Sequence, residues 1–261
     1  MATIWYSPNK GEFLKKITLI ILFSILVVTS ACTNTNGCFE SDTITVGIYP
    51  YMPPYQYYEN GELKGFEIEL ISEIAKRMDK KIEFVETDYK YGNYIAARSG
   101  TVDVSISAIT KTVLREEDST YSQLYMNSYS SLVCLDSKYA GLADFGGKRI
   151  GVVDDTVYVD HAESYKKSVN FEIVKYHNYY DLNSALLNGD VDGILADYFV
   201  CKYFKNNGDD LRIIENTEIH YFGIVSSLDN EYLIDNINKI LMGIYNDGTY
   251  EELRLKYFEI E

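Results

Sequence analysis

The chain is poor in the residues that carry metal, redox or nucleophilic chemistry. Its 261 residues include four cysteines, three histidines, four prolines and one tryptophan. Four cysteines are too few for a disulfide framework to be read from spacing. His161, His177 and His220 are scattered without metal-ligand spacing, so neither a metal nor another cofactor is expected. No glycine-rich loop ends in Gly-Lys-Ser or Gly-Lys-Thr, which removes the phosphate cradle of nucleotide-hydrolysing enzymes. No Gly-x-Ser-x-Gly elbow is present for a hydrolase nucleophile. Positive charge is scarce, with 24 Lys+Arg against 39 Asp+Glu and a formal net charge of −15. Nucleic acid or an anionic membrane surface is therefore a poor match as main partner. What is abundant is ordinary core material, 46% hydrophobic residues, together with 25 tyrosines. Such amphipathic rings suit clefts that take polar ligands.

Only one long apolar run exists, Ile17 to Val28, preceded by Lys10, Lys15 and Lys16. At 12 residues it is too short to span a bilayer and right for the core of a signal peptide. It ends in Thr29-Ser30-Ala31-Cys32, which resembles the bacterial lipobox. That resemblance implies cleavage before Cys32 and acylation of its thiol; ordinary cleavage near Ala31 is the alternative. Residues 1–31 are therefore expected to be a lipoprotein signal peptide. The small polar residues that follow make 32–41 a flexible tether.

Beyond the tether, strand and helix alternate. Thr43 to Ile48 has the pattern of a strand, and Asn60-Gly61 is a hairpin signal between two short extended pieces. From Gly65 to Lys81, Phe66, Leu70, Ile71, Ile74, Ala75 and Met78 form a helical stripe, with acids early and bases late. Ile82–Val85 predicts a strand, and Tyr94–Ser99 a helix closed by Gly100. Val102, Val104 and Ile106 alternate with Asp103, Ser105 and Ser107 at strand period. Ser131–Leu135 predicts another strand. The pattern restarts near Lys148, with strands at Lys148–Val153, Phe171–Tyr176 and Val191–Leu195, and helices at Val157–Tyr165, Asp181–Leu187 and Asp197–Phe204. Repeated alternation with a restart predicts an α/β protein of two similar lobes.

GFEIELISEIAKRM, from Gly65 to Met78, resembles the signature of the family 3 extracellular solute-binding proteins, the receptor subunits of amino-acid ABC importers. Further matches follow in family order: SGTVDVSISAITKTVLRE from Ser99, FGGKRIGVVDDT from Phe145, LLNGDVDGILADY from Leu186 and NDGTYEELRLKYF from Asn246. The resemblance implies the two-lobe periplasmic-binding-protein-like fold of type II, each lobe a mixed sheet flanked by helices, joined by a two-strand hinge. Lobe 1 would hold 42–131 and 221–261, and lobe 2 would hold 132–220. It also implies a monomeric, extracytoplasmic receptor, anchored to the membrane through Cys32. Such a receptor captures an amino acid and delivers it to an ABC transporter permease.

A free amino acid is a zwitterion, and burying one requires a paired cation and a paired anion. Arg115 falls on the family's carboxylate-binding arginine, and a guanidinium fork suits both carboxylate oxygens. Thr110 falls on a family hydroxyl position. Ala108 stands where relatives often have Ser or Gly, so there only the backbone can serve. Asp197 falls on the family's ammonium-binding aspartate, at a strand end where it also fits a helix N-cap. Thr156 matches a lobe 2 hydroxyl at a helix start, but Asp155 replaces the usual Gly and Val157 the second hydroxyl. Met52 takes an aromatic position of the first loop, and Tyr91 is the candidate second aromatic. Tyr49 stands where binders of basic amino acids often carry an acid. The resulting expectation is a ligand with a polar or neutral side chain.

An enzyme on this fold, of dehydratase type, and a ligand-reporting sensor are the competing readings. The first needs an aimed acid or base beyond Asp197; the second needs a spanning helix and a signalling domain. Outside the cytoplasm, Cys134 and Cys201 could form a bridge or stay free and buried.

Overall fold

The computed structural model describes residues 41–87 and 92–258. The signal peptide, Cys32, Cys38, nearly all of the tether and Tyr91 lie outside the described residues. Among the described residues no helix is long and apolar enough to cross a membrane.

Strands β1 (Thr43–Ile48), β5 (Lys81–Glu86), β6 (Val104–Ser105), β7 (Thr120–Tyr121) and β13 (Val225–Ser226) build one sheet in the order β5-β1-β6-β13-β7. β1 runs parallel to both β5 and β6, and β13, returning from the far end of the chain, is antiparallel to β6 and β7. Strands β8 (Met126–Cys134), β9 (Arg149–Val153), β10 (Glu172–Tyr176), β11 (Gly193–Asp197) and β12 (Arg212–Phe222) build the second sheet, in the order β10-β9-β11-β8-β12. A small antiparallel meander of β2 (Tyr51–Met52), β3 (Gln56–Glu59) and β4 (Glu62–Lys64) extends the first lobe. Helices α1 (Phe66–Arg77), α2 (Asn93–Arg98), α3 (Val113–Glu116), α7 (Glu231–Asn246) and α8 (Thr249–Phe258) accompany the first sheet. α4 (Val157–Lys166), α5 (Tyr179–Asn188) and α6 (Tyr198–Asn206) accompany the second. The architecture is the two-lobe mixed α/β fold.

Local chemistry explains the elements. The β3–β4 turn places Asn60 at φ 53° and Gly61 at φ 81°, the left-handed pair that a tight hairpin requires. Helix α1 buries Phe66, Leu70, Ile71, Ile74 and Ala75 and carries Glu67 and Glu69 in its first turn and Lys76 and Arg77 in its last. Its leading Gly65 sits at φ 131°, where a Cβ would stand 2.0 Å from the Tyr55 carbonyl oxygen, so no other residue fits.

Two expectations need correction. Val102, Val104 and Ile106 are buried as the period predicts, but Ser105 and Ser107 are buried as well. β6 is a central strand between β1 and β13, covered on both faces. Its ladder is short because the Asp103 carboxylate takes the Thr45 N–H at 2.8 Å and the Thr45 hydroxyl at 2.7 Å. The second concerns β12, an eleven-residue strand, of which the family resemblance implies only an extended crossing near His220-Tyr221 and local patterning nothing. It pairs antiparallel with β8, Ser128 opposite His220 and Asn127 opposite Tyr221. This long ribbon joins the lobes as the two-strand hinge. Its polar residues Ser128, Ser130, Ser131 and His220 are all buried.

Candidate functional site

A narrow cleft, open at its mouth, lies between the lobes. One wall comes from the first lobe: Met52, Gly92–Tyr94, Ser107–Thr110 and Arg115. The other comes from the second: Asp155–Tyr158 and Tyr179. Strand ends and helix starts supply both walls, the usual position for ligands in α/β sheets.

Arg115 sits in the short helix α3, whose start Thr112 caps by accepting the Arg115 N–H at 3.3 Å. Its guanidinium donates to the Thr110 carbonyl at 2.9 Å and lies over the Tyr94 ring, 5.0 Å from the centroid. The neighbouring acids are engaged elsewhere. Glu116 pairs with Lys111 at 2.8 Å and Asp118 with Arg98 at 2.5 Å. Arg115 forms no ion pair among the described residues. Tyr94 fixes it further, because the Tyr94 hydroxyl donates to the Arg115 carbonyl and bonds Asp118. The arrangement is a positioned, half-buried cation with most of its fork unused, facing the cleft.

Beneath this wall lies Glu67, fully buried. It accepts from the Ala108 N–H at 2.7 Å, from Gln56 at 2.6 Å and from the Tyr125 hydroxyl. Burial pushes its carboxyl up to about 7, against the lowering effect of these donors. Glu67 thereby holds the loop that carries Ala108 and Thr110. Ala108 adopts φ 46°, which explains why Gly suits relatives there. Its N–H, expected to serve the ligand, is already given to Glu67.

Asp197 is placed differently from its expectation. The side chain is fully buried and does not line the cleft. It caps α6, accepting from the N–H groups of Phe199 at 2.9 Å and Val200 at 3.1 Å. The Tyr55 hydroxyl donates to one of its oxygens and the Tyr158 hydroxyl to the other, each at 3.2 Å. Burial pushes its carboxyl up to about 6, while the Ser128 hydroxyl, the helix amides and Tyr158 pull the other way. The carboxylate caps the helix, a role the local sequence fits and one compatible with ligand contact. Tyr158 stands between it and the cleft.

Thr156 lines the cleft as the N-cap of α4, but its hydroxyl donates to the Val153 carbonyl at 2.7 Å rather than to the helix. Met52 lines the cleft. Tyr49 does not: it is buried, and its hydroxyl crosses to the second lobe to reach the His177 carbonyl at 2.9 Å. Tyr91 lies outside the described residues. Cys134 and Cys201 are free and buried.

Sequence reasoning missed Tyr94, Tyr158 and Tyr179. In a chain with 25 tyrosines nothing local singles these three out. Their positions next to helix starts, directly after the cleft loops, are the signal that could have found them.

Comparison with known proteins bears on the family and the fold. The consensus of the bacterial extracellular solute-binding proteins, family 3, matches residues 44–260. A probable histidine-binding protein of Campylobacter jejuni is 30% identical over 88% of this chain and 93% of its own. The arginine-binding extracellular protein ArtP of Bacillus subtilis is 27% identical over 94% of this chain and 98% of its own. An ancestral arginine-binding protein solved with arginine is 29% identical, with a TM-score of 0.77 over 83% of this chain and 98% of that one.

Proposed function

The chain belongs to the bacterial extracellular solute-binding proteins, family 3, and from that premise we propose that it captures a free amino acid between its lobes and hands it to an ABC importer. One observation carries the reading: Arg115 lines an interlobe cleft while, among the described residues, its neighbouring acids are paired elsewhere or exposed outside. A half-buried guanidinium fork that forms no ion pair among the described residues suits a ligand carboxylate. Similarity to arginine- and histidine-binding proteins supports an amino-acid ligand. The tyrosine-lined wall, with Met52 and Ile109 as apolar floor, suits a polar or neutral side chain.

Residues 42–131 and 221–261 would move as lobe 1 against 132–220, hinged on the β8–β12 ribbon. The Thr29–Cys32 motif supports export and acylation of Cys32, which would leave a monomeric receptor anchored outside the membrane. A Cys32→Ala variant should then appear in the medium or periplasmic fraction instead of the membrane pellet.

The test of the central reading is a thermal-shift screen of the twenty amino acids. A ligand that binds only the folded state raises the melting temperature. At least one should do so for the wild type and none for Arg115→Ala at equal concentration. A wild type indifferent to all twenty would refute the reading.

A further inference from the structure

Two tyrosines of the first lobe reach the second lobe with their hydroxyls. The Tyr49 hydroxyl donates to the His177 carbonyl, just ahead of α5, at 2.9 Å. The Tyr55 hydroxyl donates to the Asp197 carboxylate, at the end of β11, at 3.2 Å. The first lobe holds both arms in place. The Tyr49 N–H is given to the Gln56 side-chain oxygen at 2.8 Å. Tyr55 donates its N–H to the Met52 carbonyl at 3.0 Å, and its own carbonyl accepts the Glu67 N–H at 3.1 Å. The Tyr55 ring lies against Phe222 and Phe258, with centroids 5.8 and 5.4 Å away. Both tyrosines are buried, and neither lines the cleft.

A hydrogen bond inside one lobe is present whether the lobes stand apart or together, so it cancels from closure. A bond that spans the lobes exists only when they meet, and its whole strength enters the closing equilibrium. Tyr158 supplies the contrast. Its hydroxyl meets the same Asp197 carboxylate at the same 3.2 Å, but from α4, in the same lobe. Two bonds of equal length to one carboxylate therefore do different work: that of Tyr158 orders the second lobe, and that of Tyr55 ties the lobes together. Packing alone would be met by phenylalanine at 49 and 55; the hydroxyls add directional contacts with the other lobe.

We propose that Tyr49 and Tyr55 form an interlobe lock, which lengthens the residence of a captured amino acid by bonding the second lobe when the cleft is shut. They are positioning residues, acting through the His177 carbonyl and through Asp197, and the lock is compatible with ligand contact at that carboxylate. The inference rests on the amino-acid reading above.

Release kinetics of the intact protein test it. The probe is whichever of the twenty amino acids most raises the wild-type melting temperature, in tritiated form and chased with unlabelled excess. Tyr49→Phe and Tyr55→Phe should each speed its release about fivefold, the effect of one net hydrogen bond, with association changed less than about twofold. The double variant should release it faster than either single one. A merely structural role would lower the melting temperature and leave the release rate alone. Wild-type release from both folded single variants would overturn the lock. So would faster release from Tyr55→Phe that Tyr158→Phe reproduces and Tyr49→Phe does not, because the effect would then belong to Asp197 rather than to closure. If none of the twenty bound the wild type, the amino-acid reading would fail first and take this inference with it.

Discussion

The two walls of the cleft treat their carboxylates alike and their remaining charges oppositely. In the first lobe Glu67 is buried under the loop and anchors it through the Ala108 amide, leaving Arg115 facing the cleft. In the second lobe Asp197 is buried under Tyr158 and anchors α6, leaving Asp155 facing the cleft. Each lobe thus spends its buried acid on holding its own binding loop. The partners a carboxylate already has decide what it is free to do.

The sharpest way to break this comparison is to remove the exposed cation. Arg115→Ala should weaken amino-acid binding about a hundredfold or more, since a desolvated ligand carboxylate is left unpaired. Calorimetry reads this directly, and unchanged affinity would mean the first wall is not a carboxylate site.

Next come the buried acids. Glu67 has its folded pKa raised to about 7 by burial, above its usual range near 4.5. The folded state therefore holds the proton more tightly than the unfolded chain. That contribution is complete below about pH 4.5 and is lost as pH rises through about 7, amounting to about 3 kcal/mol. Asp197, raised to about 6, acts with the same sign over a lower window. Urea unfolding of Glu67→Gln between pH 4 and 8 should give a flatter stability profile than the wild type; parallel profiles would show that Glu67 does not titrate in that range. The buried His220, lowered to about 4 by burial and by His161 beside it, acts oppositely, its contribution being lost as pH falls. The readout is therefore the difference between variant and wild type rather than either slope alone.

Asp197→Ala should cost about 2 kcal/mol or more of stability, because it removes a helix cap and leaves buried hydroxyl and amide donors unpaired. A loss of only a few tenths, measured by urea midpoint, would return Asp197 to the ligand-binding role. Tyr94→Leu should weaken binding severalfold by removing the ring beneath the guanidinium, an effect of about 0.5–1 kcal/mol. Tyr158→Phe should cost about 1 kcal/mol of stability through the lost hydrogen bond to Asp197, read by urea midpoint.

Much of the fold could be read along the chain. The hairpin at Asn60-Gly61 and the amphipathic α1 follow from short-range rules, and strand–helix alternation gave two lobes. β12 was not legible, because its residues are polar and its strand exists by pairing with β8, some eighty positions away. Among site residues, Arg115, Thr110, Thr156 and Met52 stand on the cleft as expected, and Ala108 does so with its amide already committed. Asp197 and Tyr49 do not, since bonds to Tyr158 and to His177 draw each of them away from it.

The amino-acid sequence by itself determined the strand–helix alternation, the turn chemistry and the family, because these depend on periodicity and on neighbours a few residues apart. Only the tertiary structure decided which carboxylate is exposed and which is sealed. That outcome rests on contacts such as Tyr55 with Asp197, separated by 142 positions, and no local pattern encodes the desolvation that such contacts impose.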